Sequence, residues 1–211
     1  VDWGTLGHLA IDLPPGTGDA SLTLLRLALG AAVALLIAGV VALLLLRPHN
    51  TTIASSTSAA TWAPGEKHAP DFKLTDEHGN AVTISGLRGR SVIVTFVDPH
   101  CTTFCPRESL VLNDALRSFP AADRPAVVAV SVDPKTRSLS VLQKEARRFK
   151  WLPQWRWAAG SAPQLANVWR AYSIQVVPAA DDINHTEAAY LVDAKGDERA
   201  LFLWPFKAAE I

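Results

Sequence analysis

Residues 91–97 read SVIVTFV, and the chain then runs through DPHCTTFCP into a helical pattern. A β-branched run that is apolar almost throughout suits a strand buried on both faces, the kind found inside a sheet covered by helices. Cys101 and Cys105 therefore fall where a central strand hands over to a helix. Pro106 suits the first turn of that helix. Leu112, Ala115, Leu116 and Phe119 recur at i, i+3, i+4 and i+7, which predicts one apolar face on a helix over Arg107–Phe119.

The rest of the chain repeats this alternation. Asp71–Leu74 and Ala81–Ile84 flank His78, Gly79 and Asn80, the pattern of a hairpin. AVVAVSV over Ala126–Val132 is a second buried strand. Leu139, Leu142, Ala146 and Phe149 form the stripe of a helix over Arg137–Phe149. A short strand is expected near Trp155–Ala159, then a helix with Leu165, Val168, Trp169 and Tyr172 on one face. Ala188–Val192 and Arg199–Trp204 flank Lys195–Gly196–Asp197 as a second hairpin. The order predicts an α/β domain of thioredoxin-like outline, a central mixed sheet flanked by helices. Trp151, Trp155 and Trp157, three of seven tryptophans, are expected to pack in the core, and Pro178 reads as an ordinary loop proline. No nucleotide-binding glycine motif occurs.

From Leu27 to Leu46 the chain reads LALGAAVALLIAGVVALLLL, about 20 residues without a charge, enough to cross a hydrocarbon core of about 30 Å. A secretory signal has a shorter apolar stretch, roughly 7–15 residues. The predicted organisation is an N-terminal segment (1–21), a single transmembrane helix (22–46), a flexible Ser/Thr/Ala-rich linker (47–62) and one domain (63–211). Flanking Lys and Arg tie between the two sides of the span and leave its orientation open. The 211 residues carry 20 basic and 20 acidic side chains, which argues against a nucleic-acid partner.

The cysteine pair carries the chemistry. A helix N-terminus offers unpaired N–H groups and positive potential, which lower the pKa of a nearby thiol. A thiolate is both a nucleophile and a metal ligand, so the pair could close into a disulfide or grip a soft ion. Two inert buried cysteines, or a structural disulfide, are the plainer readings. A zinc site is disfavoured because no second cysteine pair exists.

The segments DFKLTDEHGNAVTISGLRGR, VIVTFVDPHCTTFCP, VSVDP and HTEAAYLVDAKG together resemble the Sco/SenC family of thioredoxin-like copper chaperones, across nearly the whole of 63–211. A preceding membrane anchor also fits that family. The resemblance implies that Cys101, Cys105 and His185 bind one copper ion, and thiolate with imidazole is a sensible donor set for Cu(I) or Cu(II). It implies assistance in assembling the binuclear copper site of cytochrome c oxidase subunit II, or service to another membrane-bound copper or thiol protein. It also implies a single-pass protein of the cell membrane with its domain on the extracytoplasmic side. By residue type alone, a His in a polar stretch such as DDINHTE is most often solvated, and His100 beside Cys101 is a competing ligand.

The chain departs from the common family pattern at Asp98–Pro99–His100, at Thr102–Thr103–Phe104 between the cysteines, and at Lys135–Thr136–Arg137 after Asp133–Pro134. Two other functions stand beside copper delivery. A thiol–disulfide oxidoreductase would use Cys101 to attack a target disulfide and Cys105 to resolve it. A peroxidase of the peroxiredoxin kind needs a Thr three residues before its cysteine, where Asp98 stands instead.

Overall fold

The computed structural model describes residues 29–30, 58–179 and 182–211. In chain order the strands are β1 (Ser58–Thr61), β2 (Leu74–Thr75), β3 (Ala81–Val82), β4 (Val92–Val97), β5 (Ala126–Ser131), β6 (Trp155–Ala158), β7 (Val176–Pro178), β8 (Ile183–His185), β9 (Ala188–Val192) and β10 (Glu198–Leu203). The helices are α1 (Phe104–Arg117), α2 (Leu139–Arg148) and α3 (Ala162–Ala171). All of these lie in one compact unit, Ala54–Ile211.

Six strands form one mixed sheet in the order β1-β10-β9-β4-β5-β6. β4, β5 and β6 run parallel, and β9, β10 and β1 continue the sheet with antiparallel pairings. Every residue of β4 and β5 is buried. Their side chains divide between two cores with the period of two that a pleated strand imposes. Val92, Val94, Phe96, Val128 and Val130 meet Leu165 and Val168 of α3 on one face. Ile93, Val97, Val127 and Ala129 meet Leu112 and Leu116 of α1 and Leu142 of α2 on the other. Burial on both sides explains why these strands read as unbroken apolar runs.

The tryptophans pack as expected. Trp151 stacks on Trp155 with centroids 4.6 Å apart, and Trp157 is fully buried with its indole N–H donating to the Leu142 carbonyl at 2.9 Å.

Three local expectations are corrected. Residues 58–61, read as the end of a linker, form β1 and pair with β10, because Ser, Thr and Ala can complete a ladder whose neighbour supplies the other half of each hydrogen bond. α1 begins at Phe104, three residues earlier than the apolar stripe suggests. Val176–Pro178 and Ile183–His185 pair as a separate short hairpin that places His185 in a strand. Pro178 ends β7, and the cis X–Pro bond among the described residues is Trp204–Pro205.

Among the described residues no helix is long and apolar enough to cross a membrane. The predicted span, 22–46, lies outside them except for Leu29 and Gly30, which are helical. The predicted N-terminal segment, 1–21, lies outside them altogether.

Candidate functional site

β4 delivers the chain to the site, ending at Val97, and Asp98 follows. That side chain is buried, and its Oδ1 accepts the His100 N–H at 2.9 Å. The Asp98 carbonyl accepts the Cys101 N–H at 3.2 Å. Together these bonds fold residues 98–101 into a tight turn. Burial, above all, holds the Asp98 carboxyl above its usual range.

Cys101 is half-buried and Cys105 is 1% exposed, and both are free thiols. Thr103, at the N-cap, makes no side-chain cap. The Cys105 N–H instead donates to Cys101 Sγ at 3.3 Å. The sulfur thus answers one of the donors that every helix start leaves unpaired, which is the physical reason α1 can begin so early. Donation from Cys105, thiol and N–H, and from Thr103 brings the Cys101 thiol down to about 5 against the cost of its burial. The same pairing, with burial and the charge on Cys101, pushes Cys105 strongly upward. One sulfur is a ready thiolate at the surface, and the other is a protonated thiol beneath it.

His185 ends β8 and is half-buried. Its Nδ1 lies 3.1 Å from the Thr186 carbonyl. A carbonyl only accepts, so Nδ1 is the donor in this contact and, in the neutral tautomer, Nε2 is the acceptor nitrogen. Thr186 in turn staples the base of the hairpin: its N–H donates to the Gln175 carbonyl at 2.9 Å, and its hydroxyl accepts the Gln175 N–H at 3.1 Å.

Cys101 and His185 line one cleft of about 450 Å³, together with Asp98, Thr103, Phe104, Asp182, Asn184 and Glu187. Cys105 lies under Cys101 and does not line it. Among the described residues no three of His, Cys, Asp or Glu stand close enough to form a ready-made metal cluster. The fold therefore brings the three candidate ligands into one neighbourhood without gathering them into a finished site.

Several residues around the cysteines escape the sequence reading. Arg148 of α2 donates from Nη2 to the carbonyls of Pro99 at 2.9 Å and Cys101 at 3.0 Å. It also pairs with Glu145, and its separation of 47 residues from Cys101 leaves no sequence signal. Glu108, 2% exposed on α1, accepts the Thr95 hydroxyl of β4, and its burial pushes it up to about 8. Glu187 faces the cleft. Burial first, then the charge on Cys101, raise it to about 7. Its place two residues after His185 was the available clue.

The other singled-out residues are placed as follows. His100 Nε2 lies 2.9 Å from the Thr136 hydroxyl, which donates to Asp133 Oδ2 at 2.6 Å. Two of the departures from the family pattern thus touch each other, and the His100 ring nitrogen is committed to that contact. His68 pairs with Asp197 at 2.5 Å, and His78 lies 3.4 Å from Glu77. Of the acidic pair before His185, Asp182 lines the cleft and Asp181 lies outside the described residues.

Comparison with known proteins adds four findings. A family model described as SCO1/SenC matches residues 61–209. The mitochondrial protein SCO2 homolog of Bos taurus is 28% identical over 135 residues, covering 60% of this chain and 50% of that relative, so the match spans about half of the relative's length. The structure of Bradyrhizobium japonicum ScoI with copper bound superposes with a TM-score of 0.59 at 26% identity, over 68% of this chain and 94% of that one. A more distant likeness is to chloroplastic peroxiredoxin Q of Oryza sativa subsp. japonica, 34% identical over 65 residues, 31% of this chain and 30% of that protein.

Proposed function

As the chain belongs to the SCO1/SenC family, we propose that it carries copper as cargo on Cys101, Cys105 and His185 and hands it to a thiol-bearing partner during assembly of a cytochrome c oxidase copper site. The observation that carries this reading is the pairing in one cleft of a half-buried low-pKa sulfur with an imidazole whose Nδ1, not Nε2, is turned to the Thr186 carbonyl. Soft thiolates suit Cu(I), and imidazole accepts copper in either oxidation state. Neither Lys nor Arg lines the cleft, while Asp98, Asp182 and Glu187 do, so an incoming cation meets no like charge.

Cys101 offers the first sulfur, already a thiolate near neutral pH. Cys105 must give up its proton to become the second. His185, which lines the same cleft as Cys101, would be the third donor. Transfer is ligand exchange: each bond from the ion to this chain's sulfurs is replaced by one to a sulfur of the target. Anchored by a helix over 22–46, the domain would work on the extracytoplasmic side of the cell membrane. The anchor would keep it at high effective concentration near a membrane-bound partner such as oxidase subunit II.

The half-buried thiolate above a buried thiol also favours a second reading, reduction of a target disulfide by the same pair. An anaerobic Cu(I) titration of the 54–211 unit against a competing chelator tests the first reading. One tight equivalent, lost in Cys101→Ser and Cys105→Ser and weakened in His185→Ala, is expected. Absence of tight binding, or binding indifferent to His185, overturns the three-ligand site and leaves the reductase.

A further inference from the structure

A second hollow, of about 360 Å³, opens between α2 and the turn that leads into β6, and it shares no residue with the cysteine cleft. Much of its wall is apolar: Ala146, Trp151, Leu152 and Trp155. The two indoles stack, and both are fixed from behind by α1. Trp151 Nε1 donates to the Ser109 hydroxyl at 2.9 Å, and Trp155 Nε1 donates to Asn113 Oδ1 at 2.9 Å. Asn113 Nδ2 also donates to the Lys150 carbonyl at 3.0 Å. The wall is therefore preformed, and a ligand need not order it on binding.

Two exposed guanidiniums border this wall, Arg147 from α2 and Arg156 from β6. Among the described residues no carboxylate pairs with either. Arg156 Nη1 donates to the carbonyls of Pro153 at 2.8 Å and Trp155 at 2.6 Å, which holds that guanidinium at the rim. Glu77 also lines the hollow, but both its oxygens are engaged: Oε2 accepts the Trp157 N–H at 2.8 Å, and Oε1 lies 3.4 Å from His78 Nε2. The surrounding sequence extends the positive field. Residues 137–156 hold six Lys or Arg and one Glu, in a chain of 20 basic and 20 acidic side chains, and that Glu145 is paired with Arg148.

We propose that this hollow binds a phosphate ester, with Arg147 and Arg156 taking the phosphate oxygens and the Trp151 wall covering the organic group. A planar carboxylate is saturated by one guanidinium fork, whereas two guanidiniums from different elements suit a tetrahedral anion with acceptors in several directions. The apolar wall beside them calls for a ligand with an apolar body and an anionic head. The headgroup of an anionic phospholipid and a soluble phosphomonoester both have this chemistry. The hollow stands apart from the cysteines, so neither copper binding nor thiol exchange bears on it.

The test follows the amide signals of Arg147, Trp151 and Arg156 and the Trp151 indole signal by nuclear magnetic resonance, with the full chain in neutral detergent at low salt. The probes are glycerophosphoglycerol, a phosphodiester headgroup without its acyl chains, glycerol 3-phosphate, a monoester, and inorganic phosphate. At least one ester is expected to give saturable shifts at these signals and to bind more tightly than inorganic phosphate. A tighter diester assigns the site to a lipid headgroup, and a tighter monoester assigns it to a soluble ligand. Arg147→Gln and Arg156→Gln, each at an exposed side chain, are expected to weaken binding about tenfold, the loss of one charge-assisted contact. Arg137→Gln removes the same charge outside the hollow and is expected to change binding by less than about twofold. Three results overturn the site: no saturable shift with either ester, inorganic phosphate binding as tightly as both, or losses in Arg147→Gln and Arg156→Gln no larger than in Arg137→Gln.

Discussion

The backbone N–H of Cys105 donates to Sγ of Cys101 from 3.3 Å, so the first turn of α1 is capped by the sulfur that the protein presents to solvent. Helix capping and thiol activation are here one interaction. The donor that stabilises the helix start also stabilises the thiolate over the thiol.

Alkylation of the reduced protein should therefore single out Cys101. Its rate with iodoacetamide is expected to be nearly flat above pH 6 and to fall with a midpoint near 5, whereas an ordinary thiol has a midpoint of about 8.5. Cys105, buried and pushed upward, should stay unmodified across the range. Mass spectrometry of the labelled peptides reads both. A single midpoint above 8 would contradict the capping argument.

Glu108 gives a pH dependence with a definite sign. Burial raises its folded-state pKa to about 8 from the usual 4.5. Its contribution is therefore fully present below about pH 4.5 and is lost as pH rises toward 8, since over that window the unfolded chain has released a proton that the folded chain still holds. Glu108→Gln keeps an acceptor for the Thr95 hydroxyl and removes the titration. The variant is expected to be more stable than the parent by about 1–3 kcal/mol at pH 8, with a flatter profile between pH 5 and 8. Chemical denaturation of the metal-free protein across that range measures it.

Arg148 should hold the cysteine turn rather than the fold at large. Arg148→Ala removes two donors to the carbonyls of Pro99 and Cys101, and the amides of residues 99–104 are expected to exchange faster while those of β4 keep their protection. Global stability should fall by only about 1–2 kcal/mol, the cost of two charge-assisted hydrogen bonds that are partly open to solvent. Arg148→Lys should restore part of the effect, because an ammonium can donate to the carbonyls but cannot also pair with Glu145 through a second nitrogen, as the guanidinium does. Unchanged exchange in the alanine variant would remove Arg148 from the site.

The edge strand can be tested by length. A fragment beginning at residue 63 lacks β1, which pairs with β10 through Ser58, Ala60 and Thr61, and leaves an open sheet edge of the kind that promotes association. It is expected to melt several degrees below a fragment beginning at Ala54 and to aggregate more readily. Equal melting temperatures would show that β1 contributes nothing to stability.

What the sequence could reveal followed from local periodicity. β4 and β5 stand out because strands covered on both faces leave no polar position, and α1 to α3 because a helix with one buried face repeats its apolar residues every three or four positions. The cysteine pair was legible for a related reason: its chemistry depends on being at a strand-to-helix junction, and both flanking elements announce themselves. β1 and the β7–β8 hairpin were not legible. β1 is made of small and polar residues, and β7 and β8 are three residues each, too short for a period of two to show; their strand character comes from a partner that supplies the other half of the ladder.

The sequence by itself determined the α/β order, the two-faced core, the thiol pair and its place at the start of α1. Only the tertiary structure decided the electrostatic state of that pair. Glu108 is raised because the Thr95 face of β4 packs against α1, Glu187 because the chain folds it into the same cleft as Cys101, and the cysteine turn is held by an arginine 47 residues away. Burial and through-space charge depend on distance in the folded molecule, and separation along the chain carries no record of them.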